Sequence, residues 1–116
     1  MDEKIDKRFF KRLARRFILR VALDDGSLLP SWSLVTTDNL SVGGASFVFD
    51  QEVRPGQRLL FKLHFLEREI DCCGQVVRIK PVFQKPLAQL AVRFEWENEK
   101  DRAYVDEFSK RRAEDL

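Results

Sequence analysis

The chain has 116 residues, of which 44% are hydrophobic and 34% charged. That length suits one domain with a single modest core, and the balance excludes an intrinsically disordered segment. The net charge is only +2, but residues 1–20 hold eight Lys or Arg against three acids, so this segment carries +5 and the rest of the chain −3. A nucleic-acid binder usually spreads positive charge over a whole face. Charge confined to one terminal segment suits a small anionic ligand, an acidic partner or a membrane surface.

Residues 4–14, "KIDKRFFKRLA", lack Gly and Pro and repeat Ile5, Phe9 and Leu13 at i, i+4 and i+8, which predicts a short amphipathic helix. No apolar run approaches the ~18 residues that span a bilayer, and the N-terminus lacks the apolar core and cleavage site of a secretory leader. A cytoplasmic protein without stable membrane insertion is expected.

"FILRVALDDG" carries β-formers ending in a turn signal and predicts the first strand. "SWSLVTT" and "ASFVFD" predict the second and third. In "QRLLFKLHFL", Leu59, Phe61, Leu63 and Phe65 alternate with Arg58, Leu60, Lys62 and His64, the period of a half-buried strand. "REIDCCGQVVRIK" follows after a tight turn near Glu67, and Gly74 within it suggests a bulge or bend. "LAVRFEW" sets Leu90, Val92, Phe94 and Trp96 on one face.

From about residue 98 to 113 the pattern is helical. Glu97, Glu99 and Asp101 lie at its start and Lys110, Arg111 and Arg112 near its end, both favourable to the macrodipole. Tyr104, Val105 and Phe108 are its expected buried stripe. Six short, evenly spaced strands predict a mainly β protein, a small antiparallel barrel with a helix before and after it.

No catalytic constellation emerges. His64, the only histidine, stands on the polar side of its strand, so a surface imidazole is expected. Phosphate-loop, zinc-protease and nucleophile-elbow motifs are absent from the sequence. Cys72 and Cys73 are adjacent, without the spacing of a zinc or redox pair, and read as partly buried reduced thiols. A non-enzyme is expected, with no metal site and no catalytic cofactor.

Arginine pairs bidentately with phosphate oxygens or with the O6/N7 edge of guanine. Arg-x-x-x-Arg occurs in three overlapping registers, Arg8/Arg12, Arg12/Arg16 and Arg16/Arg20. Alone it describes any solvated basic face. Some twenty residues downstream, however, "DNLSVGG" spaces Asn39, Ser41 and Gly44 as Asn-x-Ser-x-x-Gly, with Gly43 beside them. A two-residue hairpin turn requires far less. Glycine permits backbone angles closed to other residues and admits close approach of a ligand to the backbone, and Asn and Ser offer short, stiff donors and acceptors.

With both motifs present, the chain resembles the PilZ domain family, bacterial receptors for cyclic di-GMP. "RRFILRV" at Arg15 to Val21 and "NLSVGGA" at Asn39 to Ala45 carry the resemblance, and "VRPGQRLLFKL", "GQVVRI" and "LAVRFEW" extend it over roughly residues 15–96 plus the closing helix. The resemblance implies a six-stranded antiparallel barrel over about 17–96 and a C-terminal helix over about 98–113, within a domain at 15–116 preceded by a basic segment at 1–14. It implies cyclic di-GMP as ligand, held by Arg16, Arg20, Asn39, Ser41, Gly43 and Gly44. Asn in place of the commoner Asp removes a charge-assisted hydrogen bond to the guanine edge, which predicts lower affinity. Arg15, immediately before the motif, implies a stacked dimer of the ligand. The implied role is bacterial second-messenger signalling of the motility or biofilm kind, passed through surface contacts to a downstream protein. The alternative is a module of the same fold that binds no nucleotide and sets its basic N-terminal helix against a protein or membrane. A third possibility, a nucleic-acid-binding barrel, rests on Phe47–Phe49 as a stacking strip and is opposed by the acidic remainder of the chain.

Overall fold

A computed structural model describes residues 16–37, 39–82, 84 and 86–114. The helix expected over 4–14, together with Arg8, Arg12 and Arg15, lies outside the described residues. The elements are β1 (Phe17–Leu23), β2 (Ser33–Thr37), β3 (Gly44–Phe49), β4 (Arg58–His64), β5 (Glu69–Pro81), β6 (Ala88–Glu95) and α1 (Glu99–Glu114). All six strands form where the alternation of apolar and polar residues predicts them.

The strands form one antiparallel sheet in the order β2-β1-β4-β5-β6-β3. It curls until its edge strands, β2 and β3, lie side by side, giving a nearly closed barrel. Period two then decides the interior. Leu19 and Val21 from β1, Leu59, Phe61 and Leu63 from β4, and Leu90 and Val92 from β6 point inward and are buried. Phe47 and Phe49 of β3 are buried as well, so "FVF" is core and offers no stacking strip. Phe61 meets Phe47 and Phe94 edge to face, with ring centroids 6.1 and 5.1 Å apart, a favoured aromatic geometry.

The expected bulge is in β5, but not at Gly74. The β5–β6 register slips between Val76 and Arg78. Gly74 instead meets a steric demand: a Cβ there would stand 2.6 Å from the Arg93 carbonyl oxygen and 3.2 Å from the Phe61 ring. Glycine lets β6 approach closely at that point.

Helix α1 is capped by Asn98, whose Oδ1 accepts the backbone N–H groups of Lys100 at 2.8 Å and Asp101 at 3.2 Å. Val105 is fully buried, and Tyr104 and Phe108 pack against the core. Phe108 lies 5.6 Å from the Phe17 ring and 4.8 Å from that of Phe65. The helix thus packs across the end of the barrel where β1 begins and β4 finishes.

Candidate functional site

The site is built at the seam between β2 and β3, where, among the described residues, the neighbouring strands share no backbone ladder. Side chains bridge it. Thr37, buried at the end of β2, donates its hydroxyl proton to the Ser46 carbonyl at 2.6 Å, with Asn39 Oδ1 as alternative acceptor at 2.8 Å. Asn39 Oδ1 also accepts the Ser46 backbone N–H at 3.0 Å. At the other end of the seam, Gln51 Nε2 donates to Ser33 Oγ at 3.1 Å.

The connecting loop is fixed from several sides. Within it, the Ser41 and Gly44 backbones exchange hydrogen bonds of 3.0 and 3.3 Å, and Ser41 Oγ accepts the Gly43 N–H at 3.2 Å. From β6, Phe94 N–H donates to the Gly43 carbonyl at 3.0 Å. Trp96 Nε1 donates to the Val42 carbonyl at 2.7 Å, and the Ser109 hydroxyl of α1 stands 3.3 Å from the Leu40 carbonyl, with the Val105 carbonyl at 2.9 Å as its nearer acceptor. A loop tied in this way presents its exposed atoms in one arrangement, which limits the ordering cost of binding.

Gly44 does not occupy the left-handed region; the only positive-φ glycines described are Gly26 and Gly56. Its requirement is space. A Cβ at Gly44 would lie 2.0 Å from the Val92 carbonyl oxygen. The unusual backbone conformation expected at this position is therefore replaced by a close strand-to-strand approach.

Beside this loop, the outer wall of the seam holds a cavity of about 570 Å³ lined by Arg16, Ile18, Leu34, Thr37, Ser46 and Gln89, among others. That volume is typical of a small-molecule site. Arg16 and Arg20 are both exposed and lie on the same outward face of β1. Four residues of strand separate them by roughly 13 Å, so they reach different parts of a ligand. Arg20 stands opposite Leu34 on β2 and Lys62 on β4. Of the sequence-predicted residues described, Arg16 alone lines this cavity; Asn39 reaches its wall through the Ser46 N–H, Arg20 lies further along the same face, and Ser41, Gly43 and Gly44 form the adjoining loop.

Other residues at this surface escaped the sequence reading. Gln89 of β6 donates from Nε2 to Ser46 Oγ at 3.1 Å. Lys62 Nζ sits 5.0 Å from the centroid of the Trp32 ring, a cation–π distance. Arg93 is exposed and stands opposite Gly44 in the β3–β6 register. The signal available for Gln89 and Arg93 was their place on the outward phase of the β6 alternation.

A second cavity of about 450 Å³ lies over β4, β5 and β6 and is lined by Asp24, Arg58, Asp71, Cys73, Glu95 and Trp96, among others. Its central cation is already engaged. Arg58 pairs with Glu95 at 2.5 Å and Asp24 at 3.4 Å, and donates to Cys73 Sγ at 3.0 Å. Burial pushes the Cys73 thiol up, the Arg58 guanidinium acts to lower it, and Glu95 raises it further. Burial pushes Cys72 up to about 12, with the charges of Cys73 and Asp71 adding to the effect. Such thiols stay protonated and unreactive at neutral pH. His64 is half-buried rather than free at the surface, with Nδ1 2.9 Å from Glu69 Oε2. Among the described residues no group of three or more His, Cys, Asp or Glu is placed to hold a metal, and no helix is long and apolar enough to cross a membrane.

The PilZ domain family model matches residues 6–110. The chain belongs to the PilZ domain family. Among solved structures it is similar to the PilZ domain of CeSA from a cellulose-synthesizing bacterium, with a TM-score of 0.56 and 16% identity, covering 78% of this chain and 85% of that one. At such identity the likeness concerns the fold. No curated protein matches the sequence significantly. In this PilZ domain the first motif occupies β1 with its preceding residue, where Arg16 lines the seam cavity, and the second occupies the β2–β3 loop beside it.

Proposed function

We propose that this PilZ domain is a cyclic di-GMP receptor that catalyses nothing and passes the signal to a partner protein through surface contacts. PilZ domains are in general cyclic di-GMP receptor modules. The observation that carries the reading here is a cavity lined by Arg16 and Ser46, with Asn39 bonded to the Ser46 backbone behind it and Arg20 on the same outward face. The guanidinium groups offer bidentate partners to the phosphodiesters and to guanine O6/N7. Ile18, Leu34 and Val48 supply exposed apolar surface for the purine faces.

In this reading Arg16 and Arg20 bind charge, Asn39 and Ser41 offer polar contacts, and Gly43 and Gly44 keep the loop close to β6. Arg15 adds a third guanidinium, which offsets the repulsion among the phosphodiesters of two stacked ligands, and a stacked dimer is the proposed bound form. The experiment is a calorimetric titration of the full chain with cyclic di-GMP, with mononucleotide GMP as control. Saturable binding of the cyclic dinucleotide alone supports the reading. A folded protein that gives no binding at high micromolar ligand overturns it and favours the module that works through its basic N-terminal segment.

A further inference from the structure

We infer that Gln89, outside both sequence motifs, is a specificity-determining residue of the seam cavity, its Oε1 accepting the N1–H and N2–H₂ edge of a guanine. The inference rests on the cyclic di-GMP reading above and assigns one edge of the base within it.

An amide side chain has one acceptor end and one donor end. The Ser46 backbone N–H can only donate, so Asn39 must turn Oδ1 toward it, as the 3.0 Å contact records. The hydroxyl of Thr37 stands on the same oxygen at 2.8 Å. Asn39 is left with Nδ2, a donor, to face outward. A carboxylate at this position would offer a second oxygen to the donors on a guanine edge; the amide cannot.

The missing acceptor is supplied across the seam. Gln89 lines the cavity with Arg16, Ile18, Leu34 and Ser46. Its Nε2 donates to Ser46 Oγ at 3.1 Å, and in this orientation Oε1 has no partner among the described residues. The Ser46 backbone N–H is in turn bonded to Asn39, so Asn39, Ser46 and Gln89 stand beside one another as one polar wall. The exposed side chains of Ile18, Leu34 and Val48, at 49%, 65% and 48%, provide an apolar surface beside it. A purine lying on that surface presents its edge to the wall. N1–H and N2–H₂ are donors, and Gln89 Oε1 is the free acceptor. Arg16, at the other side of the cavity, is left for the O6/N7 edge or a phosphate.

The test is a cycle between protein and ligand, using cyclic di-GMP and cyclic di-IMP, which differ only by the two N2 amino groups. The full chain and its Gln89→Leu and Gln89→Glu variants are titrated with both, and melting curves confirm folding of these exposed-site variants. The wild type should bind cyclic di-GMP roughly tenfold more tightly than cyclic di-IMP, the effect of one hydrogen bond. Gln89→Leu should bring that ratio close to one. Gln89→Glu keeps an acceptor and should preserve the ratio, even if the added charge weakens both ligands. A ratio unchanged in Gln89→Leu, or already close to one in the wild type, overturns the inference while leaving the receptor reading intact. Absence of wild-type binding to either ligand overturns both.

Discussion

Asn39 and Ser46 hold β2 to β3: Asn39 Oδ1 accepts the Ser46 N–H at 3.0 Å across the seam that no backbone ladder closes. A residue first read as a ligand contact therefore has a structural task as well. Asn39→Ala should destabilise the domain by about 0.5–1.5 kcal/mol, the net contribution of a hydrogen bond whose donor water can reach. Asn39→Asp retains the acceptor and should melt close to the wild type. Equal losses in the two variants, measured by denaturant unfolding, would show that the oxygen is not what matters.

Gly44 and Ser41 should separate by mechanism. Gly44→Ala places a Cβ against the Val92 carbonyl oxygen, which is backbone and cannot yield easily. Overpacking of this kind costs about 1–3 kcal/mol or more. Ser41→Ala removes hydroxyl contacts in an exposed turn and should cost no more than about 1 kcal/mol. Thermal melting of both variants distinguishes them, and a milder effect for Gly44→Ala would contradict the close approach of β3 and β6.

Arg16 and Arg20 face outward and carry no core contacts, so their removal should leave stability intact while weakening cyclic di-GMP binding. A hydrogen bond to a charged group contributes roughly 1.5–3 kcal/mol, or about ten- to a hundredfold in affinity. Arg8→Ala should change little. Essential Arg8 and Arg12 with a dispensable Arg20 would show that a different Arg-x-x-x-Arg register carries the function.

Cys72 makes stability sensitive to alkaline pH. Burial raises its thiol from the ordinary 9.0 to about 12 in the folded chain. Between these values the unfolded chain has lost the proton and the folded chain still holds it, so stability falls as pH rises. The contribution is complete below pH 9 and lost as pH passes through about 12. Cys72→Ala should flatten the decline in denaturant midpoint between pH 9 and 11; an unchanged slope would assign it to other groups.

The strands were legible because inward and outward residues alternate so regularly in β4 and β6. Helix α1 was legible from its charge gradient and from the stripe of Tyr104, Val105 and Phe108. What remained hidden depends on contacts between distant segments. Gly74 and Gly44 each look like sites of backbone freedom, but their reason is the carbonyl of a residue on β6. Asn39 gives no local sign that a backbone N–H seven residues away fixes its amide. Gln89 joins the cavity only because β6 pairs with β3 at the edge of a curled sheet. The arrangement of Arg58, Cys73 and Glu95 likewise requires the pairing of three strands.

Calorimetric titration of the wild type, Arg15→Ala and Arg16→Ala/Arg20→Ala proteins with cyclic di-GMP decides whether the seam is a receptor site. The wild type should bind saturably, with two ligands per chain. Arg15→Ala should shift the ratio toward one, and the double variant should lose binding at the same ligand concentrations while melting normally. Wild-type binding at one ligand per chain, unchanged in Arg15→Ala, would remove Arg15 and the stacked dimer from the account. No binding by a folded wild type, or undiminished binding by the double variant, would contradict the receptor site itself.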